Sequence, residues 1–412
     1  MTIELHTIGR VRVEEEAAGS YGVDLTSSGT YLDVPVQGVA SLTLNKQQNA
    51  TGRQVQYRRQ SPKTVLGISS WSMQVNVTMG ALGVAANEST ASLGKDDSAQ
   101  LRILAAIFGG ISGEQQGSLI SDASPTVTEV DVTASEGPQF FAGSACGHNS
   151  GASSAFEIRG IEQRSSDTIT TSMAFSNAPG DGTTLYNATT IFPTEDPNTS
   201  LQFLVEGSNS SDGNAWLLQG GQCTSVGINT PVGELATWSF TFEGSSWTPR
   251  ASMASAPTFG SGTYSNHNEL ITEGELTVQT HGTTTRQVID AQSVTFAPTI
   301  SFVNQTSVSA AETVARKRAV KPEDFCIATM TLPFEDATWF TARDNGSEYR
   351  FQLQLGSVAG SSIAIVLPRA QVHDVQLIGE GEIASQTVTF RSRHDDMSDD
   401  ERRGAPMRIH FA

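Results

Sequence analysis

Cysteine is scarce. Cys146, Cys223 and Cys326 are the three in 412 residues, too few and too scattered for a disulfide scaffold and without the close pairing of a zinc site. They read as reduced, structural thiols. Basic residues are also short, 25 Lys and Arg against 43 Asp and Glu, for a net charge of −18. A groove that grips nucleic acid through its phosphates needs the opposite balance. The deficit is uneven: eleven Lys/Arg meet twenty-four Asp/Glu up to Trp247, and fourteen meet nineteen after it. No apolar run is long enough for a membrane span, and Met1-Thr-Ile-Glu-Leu-His is not a basic stretch followed by an apolar one. A protein made and folded in the cytoplasm is expected, in which Asn49-Ala-Thr and Asn304-Gln-Thr mean nothing for glycosylation.

Catalytic signatures are missing as well. There is no phosphate-cradling Gly-Lys-Ser/Thr, no His-Glu-x-x-His and no Gly-x-Ser-x-Gly elbow. The seven histidines show no metal-ligand pairing; His394 beside Asp395-Asp396 comes nearest and reads as a solvated turn. Cys146 in Gly143-Ser-Ala-Cys-Gly-His148 invites comparison with a Cys/His nucleophile, but a Gly-rich loop offers no firm base, so a structural role is expected. Glu14 to Glu16 and the run from Asp395 to Glu401 read as solvated loops. Trp71, Trp238 and Trp339 read as core. No enzyme activity, cofactor or metal is expected.

What the chain does have is 37% apolar and 17% charged residues with abundant Gly, Ser and Thr, which suits short strands and turns. One strand organises it. Gly233-Glu-Leu-Ala-Thr-Trp-Ser-Phe-Thr-Phe242 returns ungapped as Gly381-Glu-Ile-Ala-Ser-Gln-Thr-Val-Thr-Phe390, with five of ten positions identical. Apolar and hydroxyl residues alternate with period two in both, the pattern of a half-buried strand. The preceding residues run in step. Trp216-Leu-Leu leads to Gln222-Cys223, Val226 and Ile228; Ile365-Val-Leu leads to Gln371-Val372, Val375 and Leu377. Further upstream Leu201-Gln-Phe-Leu-Val-Glu-Gly207 is set against Phe351-Gln-Leu-Gln-Leu-Gly356. Two copies of one β unit in tandem are expected.

Each unit shows the same order of parts. In the first, the Glu-rich and Gly/Ser-rich stretch after Arg10-Val-Arg-Val13 reads as an arm or loop, and Val34-Pro-Val36 and Val39 to Leu44 as strands. The polar passage Asn45 to Gly67, holding Arg53, Arg58, Arg59 and Lys63, reads as a projecting loop or ribbon. Trp71 to Met79 alternates apolar and polar residues without exception and is the clearest strand. Asp97 and Gln100 sit at cap and capping-box positions before Leu101, Leu104, Ala105 and Phe108, which predicts a short amphipathic helix laid on a sheet. In the second unit Val294-Thr-Phe and Ile300-Ser-Phe302 are strands, followed by a polar loop from Asn304 to Pro322 with Arg316, Lys317, Arg318 and Lys321. Phe325 to Leu332 is the next strand and Glu335 to Arg343 a short helix ending at Asn345-Gly346. The first unit has an addition from about Glu114 to Asp196, a small and exposed β insertion with strands at Val127–Val132, Ala155–Ile158 and Thr168–Met173. The link between units falls in Ser245 to Thr258, giving domains of 1–248 and 249–412. The two basic stretches, equivalent in an acidic chain, suit cationic projections that dock on acidic faces of neighbouring subunits.

At Gly19-Ser-Tyr-Gly22 after an acidic run, the long polar loop before Trp71 to Met79, the helix at Ser98 to Phe108 and the Gly-Glu-Leu/Ile-Ala strands, the chain resembles the major tail tube proteins of long, flexible-tailed (siphovirus-type) bacteriophages. The resemblance implies mainly β architecture: two tandem tail-tube-like β-sandwich or barrel domains, each with a short flanking α-helix. It also implies strands that join across subunits into stacked rings, a virion tail location after assembly in the host cytoplasm, and an acidic conduit through which double-stranded DNA passes without specific binding. Tape-measure, tail-terminator and distal-tail proteins are the implied partners. The family's long loop reaches the adjacent ring, a role this carries onto Arg53, Arg58, Arg59, Lys63, Arg316, Lys317, Arg318 and Lys321. Family members commonly have one tube domain and six copies per ring, so a chain with two implies a trimer that is a pseudo-hexamer. The alternatives are a distal-tail or tail-tip ring protein of the same fold, and an extracellular carbohydrate-binding or hydrolytic β protein. The last lacks a secretion signal and a credible carboxylate pair.

Overall fold

The computed structural model describes residues 2–3, 8–16, 31–37, 41–51, 63–81, 98–112, 117–122, 124–135, 137–150, 155–194, 199–207, 215–231, 233–250, 268–269, 274–283, 285–299, 301–306, 314–319, 325–379, 384–395 and 401–412. The architecture is mainly β, in antiparallel sheets. The first unit opens with β1 (Thr2–Ile3), β2 (Ile8–Glu16), β3 (Ser41–Thr51) and β4 (Lys63–Thr78), then helix α1 (Ala99–Phe108) and β5 (Gly109–Ser112). After the insertion come β6 (Thr189–Pro193), β7 (Ser200–Gly207), β8 (Ala215–Pro231), β9 (Thr237–Gly244) and β10 (Ser246–Arg250). The second unit runs β11 (Gly274–Thr280), β12 (Ser293–Pro298), β13 (Ser301–Thr306), β14 (Val314–Ala319) and β15 (Cys326–Pro333), then α2 (Thr338–Asp344). It ends with β16 (Glu348–Leu355), β17 (Ile363–Ile378), β18 (Ser385–Ser392) and β19 (Arg408–Phe411).

Hydrogen bonding orders the first set β2-β7-β8-β9-β4-β3. The second is ordered β11-β16-β17-β18-β15-β12, strand for strand the same. Irregularities repeat too. The register shifts between Cys223 and Ser225 on β8 and between Val372 and Asp374 on β17. A bulge bends a strand, and each of these long strands pairs with a different neighbour beyond the bend. Before it, β8 takes β10 and β17 takes β19. The two copies align with Phe203 on Phe351, because these face Leu218 and Leu367 respectively. The expected alignment placed Leu201 opposite Phe351, two residues out of register; a slip of two in a period-two pattern keeps every side chain on its own face and so is invisible to alternation.

β9 shows why these segments are strands. Trp238, Phe240 and Phe242 are buried, while Thr237, Ser239, Thr241 and Glu243 between them are half-exposed. The rings of Phe203 and Phe242 lie tilted with centroids 4.6 Å apart in one unit, and their counterparts Phe351 and Phe390 lie tilted 5.4 Å apart in the other. Trp71 fills the first core, its indole N–H donating to the Gln219 carbonyl at 2.9 Å.

Several expectations are corrected. Glu14 to Glu16, expected to open an arm or loop, instead end the strand Ile8–Glu16, and the Gly/Ser-rich run from 17 to 29 lies outside the described residues. On this strand Val11 and Val13 enter the core, and Arg12 between them is buried against Asp33 at 3.0 Å. Glu14 pairs with Arg102 at 2.7 Å, and the buried Glu16 carboxylate accepts the Gly220 N–H at 2.9 Å, so these are not solvated acids. The helix α1 is buried almost all round, with Ala106 the one residue of the ten that is half-exposed. Gln100 makes no capping box; its amide bonds both the N–H and the carbonyl of Gly80, at 3.1 and 3.2 Å. Asp97 lies outside the described residues. The expected link from Ser245 to Thr258 begins on β10, where Pro249 stands opposite Trp216; residues 251–258 lie outside the described residues.

The insertion is a six-stranded sheet around Ile120, Val130, Phe140, Cys146, Ile169 and Phe175. Its expected end at Asp196 runs past β6, which returns to the main sheet beside β5 and β19. Nor is it wholly exposed. The side chains of Gln352 and Gln354 on β16 bond the backbone of its Ala155–Ser165 strand: Gln354 accepts the Ile158 N–H at 2.8 Å, and Gln352 donates to the Ile158 carbonyl at 2.7 Å. An addition to the first unit is thus clamped onto the second.

A Cβ placed on Gly244 would stand 2.2 Å from the Trp71 ring. Gly244→Ala is therefore expected to cost about 1–3 kcal/mol through overpacking, read as a lowered urea midpoint at unchanged slope.

Candidate functional site

The units are joined edge to edge. Beyond its bulge β8 pairs not only with β9 but with β12, Ile228 opposite Phe296 and Pro231 opposite Ser293. Thr230 adds a buried hydroxyl bond to the Val294 carbonyl at 2.7 Å. One sheet therefore runs β3-β4-β9-β8-β12-β15-β18-β17 through both units. One face carries the aromatic core. The other presents hydroxyls and amides, among them Gln74, Asn76, Ser239, Thr241, Thr329 and Thr389. On this face β9, β15, β18 and the Trp71–Thr78 part of β4 carry one acid, Glu243, and one base, Arg391. β17 adds a second acid, Asp374, opposite Thr389, so these strands together carry two acids and one base where the chain as a whole carries −18.

Of the basic residues singled out, Lys63 and Arg316 to Arg318 lie on paired strands. β3 and β4 continue past the sheet as a ribbon whose last pair is Thr51 with Lys63, and β13 and β14 form a separate ribbon with Arg316, Lys317 and Arg318 opposite Asn304, Val303 and Phe302. Arg53, Arg58, Arg59 and Lys321 lie outside the described residues. The Arg316–Arg318 stretch, expected as loop, is thus a strand. Ribbon arms bond to each other through main-chain groups alone, so they need no apolar alternation to announce them.

Residues that hinted at chemistry are accounted for structurally. Cys146 and His148 are two apart on one strand and share a face, but burial pushes the Cys146 thiol up to about 12 and so holds it protonated. Burial also lowers the His148 pKa, and its Nδ1 donates to the Thr184 carbonyl at 3.2 Å. His394, expected in a solvated turn, is exposed, its Nδ1 donating to the Gly404 carbonyl at 3.0 Å, and the half-buried Asp395 pairs with Arg408 at 3.2 Å; Asp396 lies outside the described residues. All three cysteines are free and buried. Among the described residues no cluster of His, Cys, Asp and Glu could hold a metal, and no helix is long and apolar enough to cross a membrane. Set against protein families and curated proteins, the sequence finds no match in either.

Alternation did not reveal one feature. Leu377 on β17 occupies the place that Ile228 has on β8, the first facing Gln386 and the second Trp238. Ile228 is 1% exposed and Leu377 is 58% exposed.

His410 on β19 is fully buried, its Nδ1 2.9 Å from the Thr190 hydroxyl, and burial with the nearby Arg408 cation lowers its pKa from 6.5 to about 3. A group whose folded pKa lies below its unfolded value leaves stability intact above the unfolded pKa and erodes it as pH falls toward the folded one. From pH 6.5 down to 4 the native chain should lose up to about 1.4 kcal/mol per pH unit from this residue. His410→Gln should remove that part of the slope, as measured by denaturant unfolding at matched pH values.

Proposed function

We infer that this chain is a structural subunit that oligomerises through its sheet edges into rings, of the kind that stack into a phage tail tube. The observation that carries the reading is the β8–β12 junction: within one chain, the first unit already extends the sheet of the second. A unit that can be extended by its own duplicate can be extended by another copy, and repetition of one rotation closes a ring. Closure also removes the open strand edges that would otherwise invite aggregation. Three chains would supply the units of a pseudo-hexamer. Packing the apolar face inward leaves the hydroxyl and amide face to line the hole, so the conduit wall would be near neutral instead of acidic. Double-stranded DNA finds no cluster of Lys or Arg there to bind, which suits passage without adhesion. The basic hairpins then serve as reaching arms between rings, where their charge meets an otherwise acidic surface.

Negative-stain microscopy of the purified chain tests this directly. Rings and stacked tubes are the expected result; rings that never stack would favour a distal-tail or tail-tip component, and a monomer at every concentration and salt would overturn the reading. Charge reversal of Arg316, Lys317 and Arg318 to Glu is expected to leave rings intact and shorten the tubes. The loss should be mimicked in the unchanged protein by raising salt from low to high ionic strength.

A further inference from the structure

The duplication gives the register of a junction that a single chain cannot display. Within the chain, Ile228 and Asn229 of β8 lie opposite Phe296 and Thr295 of β12. On the donor side, Leu377 and Ile378 of β17 replace Ile228 and Asn229, because they face Gln386 and Ser385 as those face Trp238 and Thr237. On the acceptor side, Leu42 and Ser41 of β3 replace Phe296 and Thr295. Leu42 faces Met73 and Phe296 faces Ala328, while Met73 faces Phe242 and Ala328 faces the matching Phe390.

Both edges stand where the sheet ends. Among the described residues, no strand lies on the outer edge of β17 at Leu377 to Gly379, which pairs with β18 on the other side. Leu377 there is exposed where its twin is buried. The outer edge of β3 is taken by the short β1, with Ile3 opposite Leu42 and Thr2 opposite Thr43. That edge therefore accepts an antiparallel strand, and this chain's own segment holds the place.

We propose that β17 of one copy joins β3 of a second copy in antiparallel register, Leu377 opposite Leu42 and Ile378 opposite Ser41, displacing β1 from Leu42. The occupant is a second copy because the first unit of this same chain already seats an equivalent strand on the equivalent edge. The proposal rests on the ring-forming reading and adds to it the edge, the register and a segment that must move. The intermolecular seam also differs from the internal one. Gly379 stands where Thr230 does, so the buried hydroxyl bond to Val294 has no counterpart there, while Leu377 keeps the apolar contact that Ile228 makes in the internal seam.

Cysteine pairing tests the register. Opposed residues of an antiparallel pair bring Cβ atoms within about 4.5–5.5 Å, close to the span of a disulfide, and the native cysteines are all buried. Asn229→Cys with Thr295→Cys serves as the control that closes within one chain. Mixing a Ser41→Cys chain with an Ile378→Cys chain under mild oxidation should give a covalent dimer that neither gives alone. Leu377→Asp should leave the unfolding midpoint unchanged and raise the concentration for half-assembly by about tenfold or more. Rings that form normally while the control closes and the mixed pair does not, or rings indifferent to Leu377→Asp, would overturn this seam and leave the ring-forming reading standing. Absence of any assembly, with the control closed, would overturn both.

Discussion

The structure depends on one long strand in each unit that belongs to two sheets. β8 enters beside β10 and β7, bends at the register shift between Cys223 and Ser225, and leaves beside β9 and β12. β17 repeats the path beside β19 and β16, then β18, with its own shift at Val372 and Asp374. Beyond the bend, the last residues of β8 form the edge of their own unit's sheet, paired with β9 on one side and with β12 of the second unit on the other. A local irregularity of backbone thus becomes a means of joining units. The core enforces the geometry from behind: Trp71 rests against Gly221 and Gly244, sites where any side chain would collide with it.

Charge is distributed to suit such joining. Scarce arginines are spent on acids at the places where segments meet, Arg12 with Asp33, Arg102 with Glu14 and Arg408 with Asp395, all but the acids' outer edges being buried. Buried pairs of this kind add little net stability over apolar residues, but breaking one strands a charge, which makes them effective in fixing which segments meet. The polar face of the through-running sheet is left to hydroxyls and amides, which form hydrogen bonds with water without attracting counter-ions. Net acidity therefore says little about that face.

Parts of the fold that obey a period were legible in the residues. β9, β18 and β15 alternate so strictly that the inward set, Phe240, Phe242, Val388, Phe390 and Met330, could be named in advance. β2 was not legible, because its inward-lying Arg12 and Glu16 find partners in Asp33 and Ser200 that lie far along the chain. Helix α1 looked amphipathic since Gln100 and Arg102 are polar; both are buried because Gly80 and Glu14 happen to wait for them. The edges were the least visible part of all. Leu377 reads as one more apolar strand residue, and what distinguishes it from Ile228 is that among the described residues no strand covers it, a fact of three-dimensional pairing that no window of sequence contains.

Tandem duplication also changes the thermodynamics of closing a ring. A junction within one chain, such as β8 on β12, forms between tethered partners at an effective concentration set by the tether, and costs no translational entropy of association. A junction between chains bears that cost, several kcal/mol at least. In any closed ring of such chains, half the junctions are internal and already made before assembly begins, so a ring with the same number of units needs half as many encounters. The remaining seams can then be individually weak. That matches the lone chain, in which Thr230 holds the internal seam with a buried hydroxyl bond and Gly379 offers none at the matching place. In such a ring, weak seams that form only together would favour cooperative closure over stable partial arcs.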